Sequence, residues 1–201
     1  MDREERERRA SIFAERVAET DREVPGYITY WSHLRWLLLR FGGELVVPPF
    51  KPDKFLVPLI EIGAIFGKFR GVALGRRSEC HGNASRIWLD GRVAMIGTGY
   101  ALSGDGLWRQ HSWGLTRREE VVETTEQRLR YYGLALGDSL ALDFAVANAG
   151  DKFEQILEST GWRGRRLRSI ADAWLDREAA GDSPQLGLLQ RRGLPLAASP
   201  S

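Results

Sequence analysis

The chain has 201 residues, 43% of them apolar and seven of them tryptophan, which suits one packed domain and excludes a disordered chain. A formal charge of +2 is too small to imply nucleic acid or a membrane surface as partner. The single cysteine, Cys80, excludes an internal disulfide and a cysteine-based zinc site, so a reducing, cytoplasmic setting is expected.

The opening MDREERERR carries both signs of charge, unlike a secretory signal peptide. Residues 2–23 read as a charged helix with sparse apolar positions (Ile12, Phe13, Val17) and Arg/Glu pairs at helical spacing, each contributing about 0.3–0.5 kcal/mol. Pro25-Gly26 ends it. A Trp- and Leu-rich helix is expected over 28–41, stopped by Gly42-Gly43; His33, Arg35 and Arg40 interrupt it, and it is too short to span a bilayer. Four prolines (Pro48, Pro49, Pro52, Pro58) make 44–58 an expected extended loop. Residues 59–66 form one short apolar element whose period fits helix or strand.

Cys80, Ala84, Ile87 and Trp88 recur at i, i+4, i+7 and i+8, one face of a helix that Asp90-Gly91 ends. Residues 92–102 read as a strand, 103–106 (Ser-Gly-Asp-Gly) as a turn, 107–115 as a second strand, and 120–125 as a third after a charged turn. Residues 131–136 are expected as a short edge strand. Residues 151–179 return to helix, broken at 161–164, and 181–201 read as a flexible tail. The expected fold class is α+β, helices on an antiparallel sheet of three to five strands. It forms a single domain over 1–180, with a charged helix at 1–24 and a core of catalytic type at 78–134.

The order of Cys80, His111 and Glu123 carries the chemistry. A nucleophilic cysteine must be a thiolate, and the free N–H groups and dipole of a helix start stabilise one. Imidazole titrates near neutrality and is the natural base; His111 stands mid-strand, where the backbone is rigid. Glu123 on the next strand is the candidate that orients the ring. It shares the face of His111 only if an odd number of residues joins the strands; a two-residue turn would turn it away.

The strings Glu79-Cys80-His81-Gly82-Asn83-Ala84, Gly97-Thr98-Gly99-Tyr100-Ala101, Trp108-Arg109-Gln110-His111-Ser112-Trp113, Val121-Val122-Glu123-Thr124-Thr125 and Tyr131-Tyr132-Gly133 resemble a pattern in small bacterial and phage proteins. Those proteins are similar to the papain-like and transglutaminase-like cysteine enzymes. The resemblance spans 78–134 and implies Cys80 as nucleophile, His111 as base and Glu123 as orienting acid. This chain departs from the pattern in carrying Glu123 where aspartate is usual, and Thr124-Thr125 where the pattern has proline-threonine. The implied activity is that of a cysteine hydrolase or acyltransferase acting on an amide, ester or thioester of a peptide or small acyl substrate. The rival is a non-catalytic interaction protein on the same scaffold, of phage or host-interaction type.

Each of these residues also has a plain structural reading. A lone cysteine on an apolar helix face packs as core, a strand histidine is a hydrogen-bonded core residue, and a strand glutamate is solvated. Supporting positions are His81, whose side chain points apart from that of its neighbour Cys80 and backs the site or faces substrate; Asn83, holding the loop before the helix or hydrogen-bonding inside the site; Trp113; and Arg109, meeting an anion or simply exposed. Ser112 falls on the opposite face from His111. An oxyanion hole would use the Cys80 N–H and a further donor that the sequence leaves open. Three dispersed histidines argue against a metal, and no cofactor is expected. The basic run at 162–168 sits beside acidic neighbours and reads as a solvated helix end, which argues against nucleic acid.

Overall fold

The computed structural model describes residues 2–159 and 161–180; the expected tail at 181–201 lies outside them. The chain is mixed α+β, a curled, antiparallel-dominated sheet covered by helices. Helix α1 (Arg3–Glu23) starts where Asp2 accepts the Glu5 N–H at 2.8 Å, and Arg8 and Arg9 both pair with Glu5. Only Val17 and Thr20 of its residues are buried, consistent with its charge. Helix α2 (Tyr27–Arg40) buries Tyr27, Trp31, Leu34 and Leu38, spaced by four, three and four as an apolar helical stripe requires. Gly42 and Gly43 follow it with φ of +105° and +85°, and Trp108 Nε1 donates to the Gly42 carbonyl at 2.7 Å.

The segment 44–66 departs from the expected loop and single element. It holds β1 (Leu45–Val46), α3 (Leu56–Ile62) and β2 (Ala64–Phe66), the last two separated by Gly63 in extended backbone. Pro58 falls in the first turn of α3, where its missing N–H is no loss, so proline did not forbid helix there. Next come β3 (Phe69–Val72), α4 (Cys80–Leu89), β4 (Met95–Leu102), β5 (Leu107–Leu115), β6 (Val121–Glu123) and β7 (Arg130–Leu136). Helix α5 (Asp138–Leu157) begins well before residue 151 and is kinked at Ala149; α6 (Trp162–Ala179) packs against it. The apolar stripe Ala141, Leu142, Ala145 is the helical signal in 138–150.

The sheet has seven strands, more than expected, in the order β2-β7-β4-β5-β6-β3, with β1 pairing β5. Strand β7 is internal, bonded to β4 and β2, because α3 carries the chain back so that β2 covers what would have been its edge. The β1/β5 and β3/β6 pairs are parallel and the rest antiparallel. Helices cover one face, where Ile96, Tyr100, Leu102, Trp108, Leu134 and Leu136 join α2, α4 and α5 in the main core. Phe66, Ala101, Trp113, Leu115, Val121 and Tyr131 form a second apolar cluster on the other face.

Candidate active site

Three devices bring Cys80 to His111. First, Cys80 is the first residue of α4, and the helix is packed on the sheet by Ile87, which together with Val93 abuts Gly114 so closely that a Cβ there would lie 2.7 and 2.6 Å from them. Second, Asn83 ties down the approach to the helix: its Oδ1 accepts the Arg76 N–H at 3.0 Å and its Nδ2 donates to the Arg76 carbonyl at 2.7 Å. Its role is therefore the structural one. Third, β5 is left open where the cysteine arrives. On that side it pairs β1 through Leu107 and Trp108 and β6 through Gly114 and Leu115, and residues 109–113 between them have no strand partner. The Cys80 sulfur takes up the Ser112 N–H in this gap, with the His81 N–H as a second donor.

His111 and Glu123 lie on the face of the second cluster. Five residues, 116–120, join β5 to β6, and the register Gly114↔Val122 and Leu115↔Val121 extends to set Glu123 beside Trp113, diagonal to His111 on the same face. His111 Nε2 donates to Glu123 at 2.9 Å (Oε2) and 3.1 Å (Oε1), both side chains being buried. With Nε2 engaged, Nδ1 is the ring nitrogen left for the Cys80 thiol, which His111 also contacts. Glu123 is completely buried yet well supplied with donors. Oε1 accepts the Thr124 and Thr125 N–H groups at 2.7 and 2.8 Å and the Thr125 hydroxyl at 3.0 Å, and Oε2 accepts the Tyr131 hydroxyl at 2.9 Å. Tyr131 was present in the sequence pattern without a role; only strand pairing through β4 brings its hydroxyl to Glu123.

Trp113 packs beside the imidazole, ring centroids 6.3 Å apart and nearly parallel, and Tyr131 closes the edge of Trp113 at 5.1 Å. The room for Trp113 comes from Gly97, its direct partner on β4, where any Cβ would fall 2.1 Å from the indole nitrogen. This packing keeps water from the His111–Glu123 bond.

The electrostatics favour charge separation. Burial would raise the Cys80 thiol, but the hydrogen bond and charge of His111 and the two N–H groups hold it below its ordinary value. Burial would lower His111, but Cys80 and Glu123 together raise it to about 9. Burial would likewise raise Glu123, and His111, Thr125 and Tyr131 instead hold it at about 2. The shifts of the three groups run together, each in the direction that favours thiolate, imidazolium and carboxylate.

The other expected positions fare differently. His81 Nδ1 lies 2.7 Å from the Ser112 hydroxyl, which donates to Thr98 Oγ1 at 2.9 Å, and burial with the nearby His111 charge lowers His81 to about 4. Ser112 is on the face opposite His111, yet it meets the site twice, through its N–H and its hydroxyl. Arg109 is bound to Asp105 of the preceding turn at 2.6 and 2.9 Å and lies outside the site. Gln110, passed over in the sequence, donates to Asp53 at 3.0 Å. Among the described residues no group of three or more His, Cys, Asp or Glu is placed to hold a metal ion, and no helix is long and apolar enough to cross a membrane.

No family model, no curated protein and no solved structure matches this chain, so the geometry of the site itself carries the functional argument.

Proposed function

We propose that the protein is a cysteine hydrolase or acyltransferase on a papain-like or transglutaminase-like scaffold, with Cys80 as nucleophile, His111 as acid and base, and Glu123 as the group that orients and charges His111. The observation that carries this reading is the continuous line from the Cys80 thiol through His111 to the fully buried Glu123. A buried ion pair with this many donors is costly to assemble and contributes little to stability compared with apolar packing, which favours a chemical role.

In this mechanism the Cys80 thiolate attacks the carbonyl carbon of an amide, ester or thioester. A C–S bond forms and the carbonyl oxygen becomes an oxyanion near the α4 N-terminus, where the dipole and free N–H groups favour it. As the tetrahedral species collapses, His111 passes its proton to the departing nitrogen, oxygen or sulfur, and the thioester remains on Cys80. Neutral His111 then accepts a proton from water or an amine as that nucleophile attacks the thioester, and the thiolate–imidazolium pair is restored. Glu123 keeps the ring oriented and remains ionised throughout.

The test is the rate of Cys80 alkylation by iodoacetamide against pH, alongside intact-mass detection of an acetyl thioester after exposure to 4-nitrophenyl acetate. The expected result is alkylation persisting well below the ordinary thiol range, moved upward in His111→Ala, and acetylation absent in Cys80→Ser. Alkylation confined to the ordinary thiol range and indifferent to His111→Ala would remove the enzyme reading and leave the interaction-protein reading.

A further inference from the structure

A cavity of about 700 Å³ lies apart from the cysteine, which is not among its lining residues. It lies between α2, α3 and the β2/β7 edge of the sheet, and apolar side chains such as Tyr30, Phe55, Ile62, Ile65 and Leu136 make most of its wall. That volume is typical of a site for a small organic molecule. Its charged lining residues are Asp53, Glu61, Glu119 and Lys54, and Lys54 is bound to Asp143 at 2.9 Å.

Asp53 is the most informative of these. Its Oδ1 accepts the Phe55 N–H at 2.8 Å and its Oδ2 accepts Gln110 Nε2 at 3.0 Å, so both donors are neutral. No ion pair reaches it among the described residues, and burial raises its carboxyl above the ordinary range. Close enough to feel its charge lies the Tyr100 hydroxyl, buried and without a hydrogen-bond partner among the described residues. A partly buried carboxylate facing an apolar cavity, with only neutral donors, is complementary to a cation carried on a hydrocarbon body.

We propose that this cavity is a binding site for an apolar organic amine, its ammonium group at Asp53 and its ring or chain among Tyr30, Phe55, Ile62 and Ile65. Two bridges lead from the ammonium end toward the cysteine. Asp53 is bonded to Gln110, two residues from the Ser112 that holds the sulfur. Phe55 lies against Phe144 in a tilted pair, ring centroids 6.4 Å apart, and Phe144 meets His81, next to Cys80, edge-on at 5.8 Å. These contacts join the cavity to the surroundings of the cysteine, and binding there does not rest on the function proposed above.

Calorimetric titration of the full chain with three indoles of one shape tests this: tryptamine (cation), 3-ethylindole (neutral) and indole-3-propionate (anion), with n-octylamine as an aliphatic amine. Tryptamine is expected to bind about tenfold or more tightly than 3-ethylindole, and indole-3-propionate more weakly than either. In Asp53→Asn, which retains an acceptor for the Phe55 N–H, tryptamine should fall to the level of 3-ethylindole. Ile62→Trp, at an exposed wall position, should weaken all the ligands together. Absence of binding by both amines, or equal affinity of tryptamine and 3-ethylindole, would overturn the proposal. Cys80→Ser should leave tryptamine affinity within about twofold. Binding retained there while the wild-type thiol proves unreactive would refute the enzyme reading and support this site; a reactive thiol with no amine binding would do the reverse.

Discussion

Glu123→Gln tests the electrostatic core of the site. The substitution conserves shape, and the Gln carbonyl can accept the Thr124 and Thr125 N–H groups that now meet Oε1. Its NH2 then faces His111 Nε2–H and the Tyr131 hydroxyl, both of which now donate to Oε2, so donor meets donor. His111 stands at about 9 against an ordinary 6.5, which corresponds to roughly 3 kcal/mol in favour of the imidazolium at about 1.4 kcal/mol per pH unit. Cys80 and Glu123 are the two groups that raise it, against burial, so loss of Glu123's charge lowers it toward the ordinary value, an effect on the order of 1–2 kcal/mol. The thiolate loses the same support. The midpoint of Cys80 alkylation by iodoacetamide should therefore move up by about one pH unit, and the rate at pH values below both midpoints should fall about tenfold. Rate constants measured from acid to alkaline pH on wild type and variant, both checked for cooperative melting, decide it. Superimposable profiles from two folded proteins would mean that Glu123 does not charge His111, and the reasoning would fail.

The thiolate–imidazolium pair has an unusual signature in stability. Between about 6.5 and about 9 the folded chain holds a proton on His111 that unfolding releases, and the lowered Cys80 thiol works against this by giving up in the fold a proton that unfolding restores, so the two contributions oppose each other. Wild-type unfolding free energy from urea titrations should therefore fall less with rising pH across that window than that of Cys80→Ser. In Cys80→Ser only the raised histidine remains. Its contribution should be fully present below 6.5 and lost, by about 1–2 kcal/mol, as pH rises through its folded value; equal slopes in the two proteins would contradict this. Tyr131→Phe removes one donor to Glu123 and should lower stability by about 1 kcal/mol in thermal melts, with an alkylation loss smaller than that of Glu123→Gln. Asn83→Ala removes both bonds to Arg76 and should destabilise by about 1–3 kcal/mol; the Arg76 amide, read by hydrogen exchange, should lose its protection, and retained protection would show that another group holds the loop.

What the sequence determined by itself was local. Periodicity of 3.6 placed Ala84, Ile87 and Trp88 on one face and hence Cys80 at the helix start, and the turn chemistry of 103–106 and 116–119 delimited β5. The alternation along β5 put His111 with Trp113 and opposite Ser112, as the structure has them. Elements set by distant partners were less legible. Strand β7 resembled an edge because its second neighbour, β2, comes from far earlier in the chain, and β1 and β2 are too short to announce themselves by pattern.

Only the tertiary structure decided how the site is joined. The five-residue connection selected the face of Glu123, and the gap in β5 between β1 and β6 supplied the Ser112 N–H to the sulfur. Tyr131 reaches Glu123, and Asp53 reaches Gln110, across separations of 8 and 57 residues. The physical reason is that side-chain period is a property of each strand or helix alone, whereas register, strand order and the burial that shifts a pKa are properties of two or more elements packed together.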